Sequence, residues 1–252
     1  MAKIRFAALG DSFTEGVGDE LEDGYVRGWA DLFAEGVAHS TQQQVDYANL
    51  AIRGKLLGPI IAEQLEPAIA LRPTMVSFAG GGNDMLRPSV DVDSLVKQTE
   101  RSIHALLDIG AEPFMLSSGN FSQWMPLGER IQERGDEFVN AARRLADKLG
   151  IPYVNNWGDV ELTKRVYWAE DRLHLSSAGH HRVAANALDE LGYDAPTEWR
   201  EEREEVDGPT RLENAKFAVQ YVAPWIKRRL TGKSSGDGRE AKYPDWVTIT
   251  PN

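Results

Sequence analysis

The chain contains no cysteine and no long apolar run. Thiol nucleophiles, disulfides and thiolate-bound zinc are therefore excluded. No stretch reaches the roughly 20 apolar residues of a membrane-spanning helix, so no integral membrane segment is expected. Positive charge is scarce as well, because 28 lysines and arginines stand against 39 aspartates and glutamates. The resulting net charge of −11 argues against a nucleic-acid partner.

What remains is typical of a globular protein with a substantial core. The 252 residues are 42% hydrophobic and 27% charged, which allows one large domain or two small ones. The first residues enter an apolar strand pattern directly, without the features of a secretory signal peptide. The expected location is the cytoplasm, and the sequence does not reveal the oligomeric state.

Apolar segments of strand length alternate with helical patterns along the first 195 residues. The strand candidates are residues 4–9, 45–50, 74–79, 113–117 and 152–155. Strict alternation of strands and helices predicts a parallel sheet covered by helices on both faces. The carboxyl ends of such strands form the edge at which ligands bind.

The composition changes near residue 195, which predicts a first domain over residues 1–195 and a C-terminal extension over residues 196–252. The extension contains an amphipathic helix pattern (212–230), a Gly/Ser-rich linker (231–239) and a tail that either docks or hangs free. Residues 232–236 read Gly-x-Ser-x-Gly. Because that nucleophile motif needs a strand before it and a helix after it, we interpret this copy as linker.

Ser12 is the candidate nucleophile. It follows the first strand in the sequence Gly-Asp-Ser, which places its hydroxyl on a sharp turn at a helix start. Its backbone N–H can then stabilise a developing oxyanion, assisted by the helix dipole. The alternative is that Ser12 only caps the following helix.

Asp171 and His174 are the candidate partners of this serine. A spacing of three residues lets the carboxylate orient the imidazole within one turn, as acyl transfer requires. The alternatives are a surface pair without a role, or a metal site that also uses His180 or His181, which are otherwise expected on a helix surface.

Gly54 and Asn83 follow the second and third predicted strands. Gly54 is expected to offer an unobstructed backbone N–H, and Asn83 a side-chain amide, so that with the N–H of Ser12 they would form an oxyanion hole. The triple glycine before Asn83 is alternatively a turn or a phosphate cradle, although it lacks the spacing of nucleotide-binding loops.

These blocks, in this order, resemble the SGNH (GDSL-type) hydrolase superfamily. The match lies in residues 10–12, with Phe13 in place of the usual leucine, in Gly54, in residues 81–84 and in residues 171–174. It extends over about residues 3–192. The resemblance implies a three-layer α/β/α flavodoxin-like fold with a five-stranded parallel sheet, and ester hydrolysis without a metal or other cofactor.

The resemblance also implies roles for individual residues. Ser12 would be the nucleophile, His174 the base and Asp171 its partner, with Ser12, Gly54 and Asn83 as oxyanion donors and Asp11 and Asp84 as supports. Arg172 and Leu175 depart from the family, which often has glycine and proline there. These changes alter the loop and leave the Asp-His pair intact.

The substrate is expected to be a small ester held by loops beyond the strands. Asn120, Phe121, Trp124 and Trp168 lie in such loops and would stack on a sugar or line an acyl pocket, unless they are ordinary core residues. The first hypothesis is an esterase for short acyl or acetyl esters, possibly of carbohydrates. The alternatives are a thioesterase, lysophospholipase or acyltransferase, or a binding module without catalysis.

Overall fold

The computed structural model describes residues 3–125, 127–204, 210–224 and 234–251. Six strands form one sheet in the order β5-β4-β3-β1-β2-β6. The strands are β1 Ile4–Leu9, β2 Val45–Asn49, β3 Met75–Phe78, β4 Glu112–Leu116, β5 Tyr153–Val154 and β6 Tyr243–Ile249. The first five are parallel, as predicted, and each differs from its predicted range by one or two residues at most.

Helices fill the connections between the strands. They are α1 Ser12–Glu15, α2 Trp29–Thr41, α3 Leu57–Ile60, α4 Glu66–Leu71, α5 Gly82–Met85, α6 Val92–Asp108, α7 Gly128–Leu149, α8 Ser177–Glu190 and α9 Arg211–Phe217. Wide π turns occur at Ile61–Leu65, which joins α3 to α4, and at Ala218–Val222. Short 3-10 turns occur at Ser122–Trp124, Glu161–Thr163, Arg165–Tyr167 and Thr197–Trp199. None of the described helices has the length and apolar character needed to cross a bilayer.

The alternation of side chains along β1 creates two cores, one on each face of the sheet. Phe6 and Ala8 join the cluster under α2 and α8, whereas Ala7 and Leu9 join the cluster under α6 and α7. This is the two-residue period of a strand buried on both sides. The predicted three-layer α/β/α architecture is therefore confirmed.

The position of β1 determines where a ligand can bind. β1 lies between β2 and β3, so the chain leaves β1 toward one edge of the sheet and later returns to β3 on its other side. The crevice beyond the carboxyl ends of two such strands is where open α/β sheets bind their ligands. The loops after β1, β2 and β3 all reach this edge.

The C-terminal extension contributes the sixth strand. β6 pairs antiparallel with β2, from Val45 opposite Ile249 to Asn49 opposite Tyr243. Pro244 is tolerated because β6 lies at the edge of the sheet. Of the predicted helix 212–230 and linker 231–239, residues 225–230 and 231–233 lie outside the described residues.

Candidate active site

The loop after β1 presents Ser12. The Gln64 side chain forms two hydrogen bonds with the backbone of Gly10. Its Oε1 accepts from the Gly10 N–H and its Nε2 donates to the Gly10 carbonyl, both at 2.8 Å. Asp11 then caps α1 by accepting from the Phe13 N–H at 3.1 Å. Because Asp11 performs the capping, Ser12 is the first helical residue and its hydroxyl is not needed as a cap.

Asp171 and His174 form a closed local unit. Oδ1 of Asp171 accepts from the backbone N–H groups of Leu173 at 3.1 Å and His174 at 3.0 Å. Its Oδ2 lies 2.5 Å from Nδ1 of His174. Since Nδ1 is directed at the carboxylate, Nε2 is the nitrogen left to exchange a proton with a substrate or nucleophile.

The charge of Asp171 is held in the ionised state. Burial raises the pKa of this carboxyl, but the His174 ring and the two backbone N–H groups outweigh that effect and lower it to about 2. A carboxylate that stays ionised at neutral pH stabilises an imidazolium beside it. The pair is therefore suited to accept a proton at Nε2 and to return it.

The backbone of Arg172 explains the glycine that the family often has there. Arg172 has a φ of 55°, a conformation that glycine adopts without strain. Its side chain is fixed by the extension, since Nη1 donates to Oδ1 of Asn214 at 2.7 Å and the guanidinium lies 4.3 Å from the ring centre of Phe217. These contacts offset the cost of the left-handed backbone.

The Gly54 loop contacts residues 81–84, the segment that contains Asn83 and Asp84. Gly54 has a φ of 76°, which favours glycine. Nδ2 of Asn83 donates to the carbonyl of Lys55 and to Oδ2 of Asp11, both at 3.0 Å. Asp84 accepts from the Leu57 N–H at 3.0 Å. Because both amide hydrogens of Asn83 are already used, donation to an oxyanion requires one of these bonds to be shared or released.

Asp11 and Asp84 lie close together behind the candidate donors. Burial raises the pKa of Asp11 to about 6, opposed by the Phe13 N–H and His174 and reinforced by Asp84 and Glu15. Burial also raises the pKa of Asp84, opposed by the Leu57 N–H. With a pKa of about 6, Asp11 gains and loses its proton in the mildly acidic range. Its Oδ2 is the atom that accepts the hydrogen bond from Asn83.

Ser12, Asn83 and His174 line the mouth of one pocket. The pocket extends inward between the sheet and helices α6 and α7. Its inner wall is largely apolar and includes Phe78, Met85, Leu86, Met115, Phe138, Val139, Ala142 and Tyr153. This arrangement places a reactive rim at the entrance of an apolar interior.

The four predicted substrate residues divide into two pairs. Phe121 and Trp168 line the pocket, with ring centres 6.5 Å apart. Asn120 and Trp124 are not among its lining residues; Asn120 instead binds Gln132 at 2.7 Å. Within the part of the chain that the structure describes, no three acidic or histidine side chains gather as a metal site would require.

Similarity to known proteins agrees with this geometry. The sequence matches the GDSL-like lipase/acylhydrolase family over residues 8–182. The chain belongs to this family. It is thus a serine ester hydrolase of the GDSL type. Among the curated proteins, no match was found.

Several solved structures share the fold of this GDSL hydrolase. A catalytic mutant of Axe2, an acetylxylan esterase from Geobacillus stearothermophilus, has a TM-score of 0.64 and 18% identity, covering 81% of this chain and 99% of its own. LAE5, an α/β hydrolase from the Lake Arreo metagenome, has 0.64 and 20%, covering 76% and 97%. EstA, a psychrotrophic esterase from Pseudoalteromonas sp., has 0.58 and 17%, covering 75% and 96%.

Sequence reasoning missed an ion pair beside the site of the GDSL hydrolase. Glu15, at the end of α1, accepts from the backbone N–H of Arg53 at 2.6 Å and from its Nε at 2.8 Å. The two residues are 38 positions apart and neither belongs to a repeating pattern. Nothing in the four matching sequence segments indicates this contact.

The position of His180 corrects an expectation. The sequence predicts this residue on a helix surface, whereas it is fully buried in α8. Its Nδ1 accepts from the Trp29 N–H at 3.1 Å, and its Nε2 lies 3.2 Å from the carbonyl of Val17. His180 therefore fixes the segment that follows the nucleophile loop. Val183, Ala184 and Ala187 follow His180 at helical spacing and share its buried face of α8. This apolar spacing is the sequence signal that indicates burial of His180.

Proposed function

We propose that this hydrolase cleaves carboxylic esters through a Ser12-His174-Asp171 triad and an acyl-enzyme. Nε2 of His174 takes the proton of Ser12 Oγ as that oxygen attacks the ester carbonyl. The tetrahedral intermediate collapses, and His174 returns the proton to the departing alcohol. Water, deprotonated by His174, then releases the acid and restores Ser12.

The observation that carries this proposal is the 2.5 Å contact of His174 with Asp171 at a pocket mouth that also contains Ser12. The backbone N–H groups of Ser12 and Gly54 and the Asn83 amide are the proposed oxyanion donors. A donor of this kind typically contributes about 3 kcal/mol to barrier lowering. Asp11 and Asp84 support them by binding Asn83 and the Leu57 backbone.

For the substrate we propose short acyl or acetyl esters, with carbohydrate esters as one class. Two structural neighbours that share the fold are an acetylxylan esterase and an esterase. Phe121 and Trp168 supply aromatic surface at the pocket on which a sugar ring can stack.

A second candidate is a thioesterase, lysophospholipase or acyltransferase that takes a longer acyl chain in the same site. The apolar inner wall of the pocket favours it, because an acetyl group needs little apolar depth. Met115 on β4 and Ala142 on α7 both line this interior and are each about 4% exposed. An acyl chain directed inward would be removed from water by such walls.

Chain-length kinetics distinguish the two candidates. p-Nitrophenyl esters from acetate to octanoate are hydrolysed by the wild type and by Ala142→Leu, with Ala141→Leu as the matched control one position away and outside the pocket lining. If the interior holds the acyl chain, Ala142→Leu reduces kcat/KM for octanoate at least tenfold more than for acetate. Equal effects on both esters would leave the short-acyl esterase as the function.

The triad is tested separately. Ser12→Ala should abolish turnover and labelling by a fluorophosphonate while the melting temperature stays within a few degrees. His174→Ala should likewise abolish labelling. Turnover by Ser12→Ala would refute the triad, and an inert wild type would indicate a binding module without catalysis.

A further inference from the structure

A buried lysine connects the C-terminal extension to the nucleophile loop. Nζ of Lys242 donates to the carbonyls of Glu15 at 3.0 Å, Val26 at 2.8 Å and Arg27 at 2.7 Å, and to Oδ2 of Asp31 at 2.6 Å. Its side chain is only 11% exposed. A lysine is buried in this way only when its charge is fully partnered. The Lys242 ammonium therefore fixes the C-terminal end of α1.

The side chain of Glu15 extends this connection to the Gly54 loop. Its carboxylate accepts from both the backbone N–H and the guanidinium of Arg53. Glu15 lies three residues after Ser12, and Arg53 directly precedes Gly54. A single buried carboxylate thus joins the helical turn that carries the proposed nucleophile to Arg53, the residue directly before the proposed oxyanion donor.

The extension contacts the backbone carbonyls of both Arg53 and Gly54. The tail turn, residues 234–237, is closed by a 2.8 Å bond from the Ser234 N–H to Asp237 and a 3.2 Å bond from the Gly236 N–H to Ser234 Oγ. Ser234 Oγ also donates to the carbonyl of Gly54 at 3.3 Å. Gly236 lies so close to the carbonyl of Arg53 that a Cβ would overlap it.

This packing orients the N–H of Gly54. In a trans peptide the carbonyl of Arg53 and the N–H of Gly54 point in opposite directions. Because the tail turn occupies the carbonyl side, the N–H faces away from the extension. Rotation of this peptide would move the Arg53 carbonyl out of its contact with Gly236.

We propose that the C-terminal extension is a positioning element of the catalytic site, in which Lys242 and the tail turn fix the orientation of the Gly54 peptide. This proposal rests on the proposed ester hydrolysis at Ser12. Covering the edge of β2 needs only the backbone of β6. A buried ammonium directed at α1 and a turn packed on Arg53 serve no purpose in edge protection.

The first test replaces Lys242 by Met, which keeps the apolar stem and removes the charge. Thr248→Val is the matched control, because it removes the contact of Thr248 with Asp46 near the far end of β6, the strand that directly follows Lys242. We expect Lys242→Met to lower kcat tenfold to a hundredfold at temperatures well below its melting point, with KM within about twofold. Thr248→Val should retain wild-type kcat.

A tetrahedral inhibitor provides a readout that altered stability alone would not move. A trifluoromethyl ketone of the best ester forms an oxyanion on Ser12, so its affinity should fall in Lys242→Met by the same factor as kcat/KM. Wild-type kcat and inhibitor affinity in a folded Lys242→Met variant would overturn the proposal. Lack of turnover by the wild type would instead refute the ester hydrolysis itself.

A second variant addresses the case in which Lys242→Met does not fold. Gly236→Ala places a methyl group against the Arg53 carbonyl, whereas Gly238→Ala strains the same segment at a φ of 73° with no neighbour within 4 Å. Gly236→Ala should lower kcat at least tenfold and Gly238→Ala less than twofold. Equal effects of the two substitutions would contradict positioning by the tail turn.

Discussion

In the proposed triad, Asp171 determines which nitrogen of His174 acts as the base. Its ionised carboxylate accepts from Nδ1, which leaves Nε2 free for the nucleophile. In Asp171→Asn the amide oxygen can still accept from the backbone of residues 173 and 174, but the amide hydrogens then face Nδ1. The imidazole would carry its proton on the wrong nitrogen.

We therefore expect Asp171→Asn to lower kcat by roughly 10³- to 10⁴-fold with KM nearly unchanged. Steady-state kinetics measure this change, and circular dichroism confirms the fold. A loss below tenfold would show that Asp171 does not orient the base. Asp159→Asn is the control, since Asp159 pairs with Arg182 away from the pocket lining.

Asp11 makes the stability of the fold depend on pH. Burial raises its pKa to about 6 from the ordinary 3.8, so between these values the folded chain holds a proton that the unfolded chain has lost. As pH rises through this window, the free energy of unfolding falls by up to about 3 kcal/mol.

Asp11→Asn removes this term. Relative to the wild type, the variant should gain unfolding free energy between pH 4 and pH 7, measured by urea denaturation at each pH. If the variant also loses the hydrogen bonds to Phe13 and Asn83, its free energy of unfolding falls by the same amount at every pH. The slope of that free energy against pH does not change. Parallel curves for the two proteins would contradict the raised pKa.

The residues that recur in motifs could be predicted from the sequence, and their supports could not. Ser12, Gly54, Asn83 and His174 each occur in a short block whose order and chemistry are informative. Gln64, Glu15 and Lys242 are single polar residues without a pattern. Their roles arise only when the fold brings distant segments into contact, as in the 54-residue separation of Gly10 and Gln64.

Helix α8 contains a second buried titratable group, His180. Burial is the main cause that lowers its pKa to about 4, and the contact with Val17 opposes this shift. The folded chain keeps this imidazole neutral while the unfolded chain takes up a proton near pH 6.5. Acidification from pH 6.5 to 4 should therefore reduce the free energy of unfolding by up to about 3 kcal/mol.

We expect His180→Gln to lose less stability than the wild type over this interval. Chemical denaturation at pH 7, 5.5 and 4 gives the two slopes. Asp11 acts with the opposite sign over part of the same range, so the wild-type curve alone is not informative and the comparison must be made between variants. His39→Gln on the surface of α2 is the matched control and should follow the wild type.

Elements with a strong apolar pattern were predictable, and the edge strand was not. Strands β1 to β4 are almost completely buried and mostly apolar, although β2 also contains Asp46 and Asn49. β6 is half-exposed, contains Pro244 and mixes polar with apolar residues without a regular period. Its pairing depends on the free edge of β2, which is a property of the sheet and not of the segment.

At the scale of the whole molecule, the site is a consequence of strand order. Ser12, Gly54 and Asn83 follow β1, β2 and β3, which are neighbours in the sheet. His174 arrives from beyond β5, and the extension returns to β2 with contacts on both the Gly54 loop and Arg172. The catalytic loops and the extension should therefore be energetically coupled.

Coupling between two sites is reciprocal, so occupancy of Ser12 should stabilise the extension that positions Gly54. In the proposed mechanism, a phosphonate bound to Ser12 places an oxygen against the proposed oxyanion donors and thereby favours the fixed orientation of the Gly54 peptide. We expect hydrogen exchange to slow at least threefold in residues 234–249 of the labelled enzyme, measured by mass spectrometry. Ser12→Ala treated with the same reagent should match the unlabelled protein. Equal exchange of residues 234–249 with and without the label would show that the extension is docked on the domain but is not coupled to its chemistry.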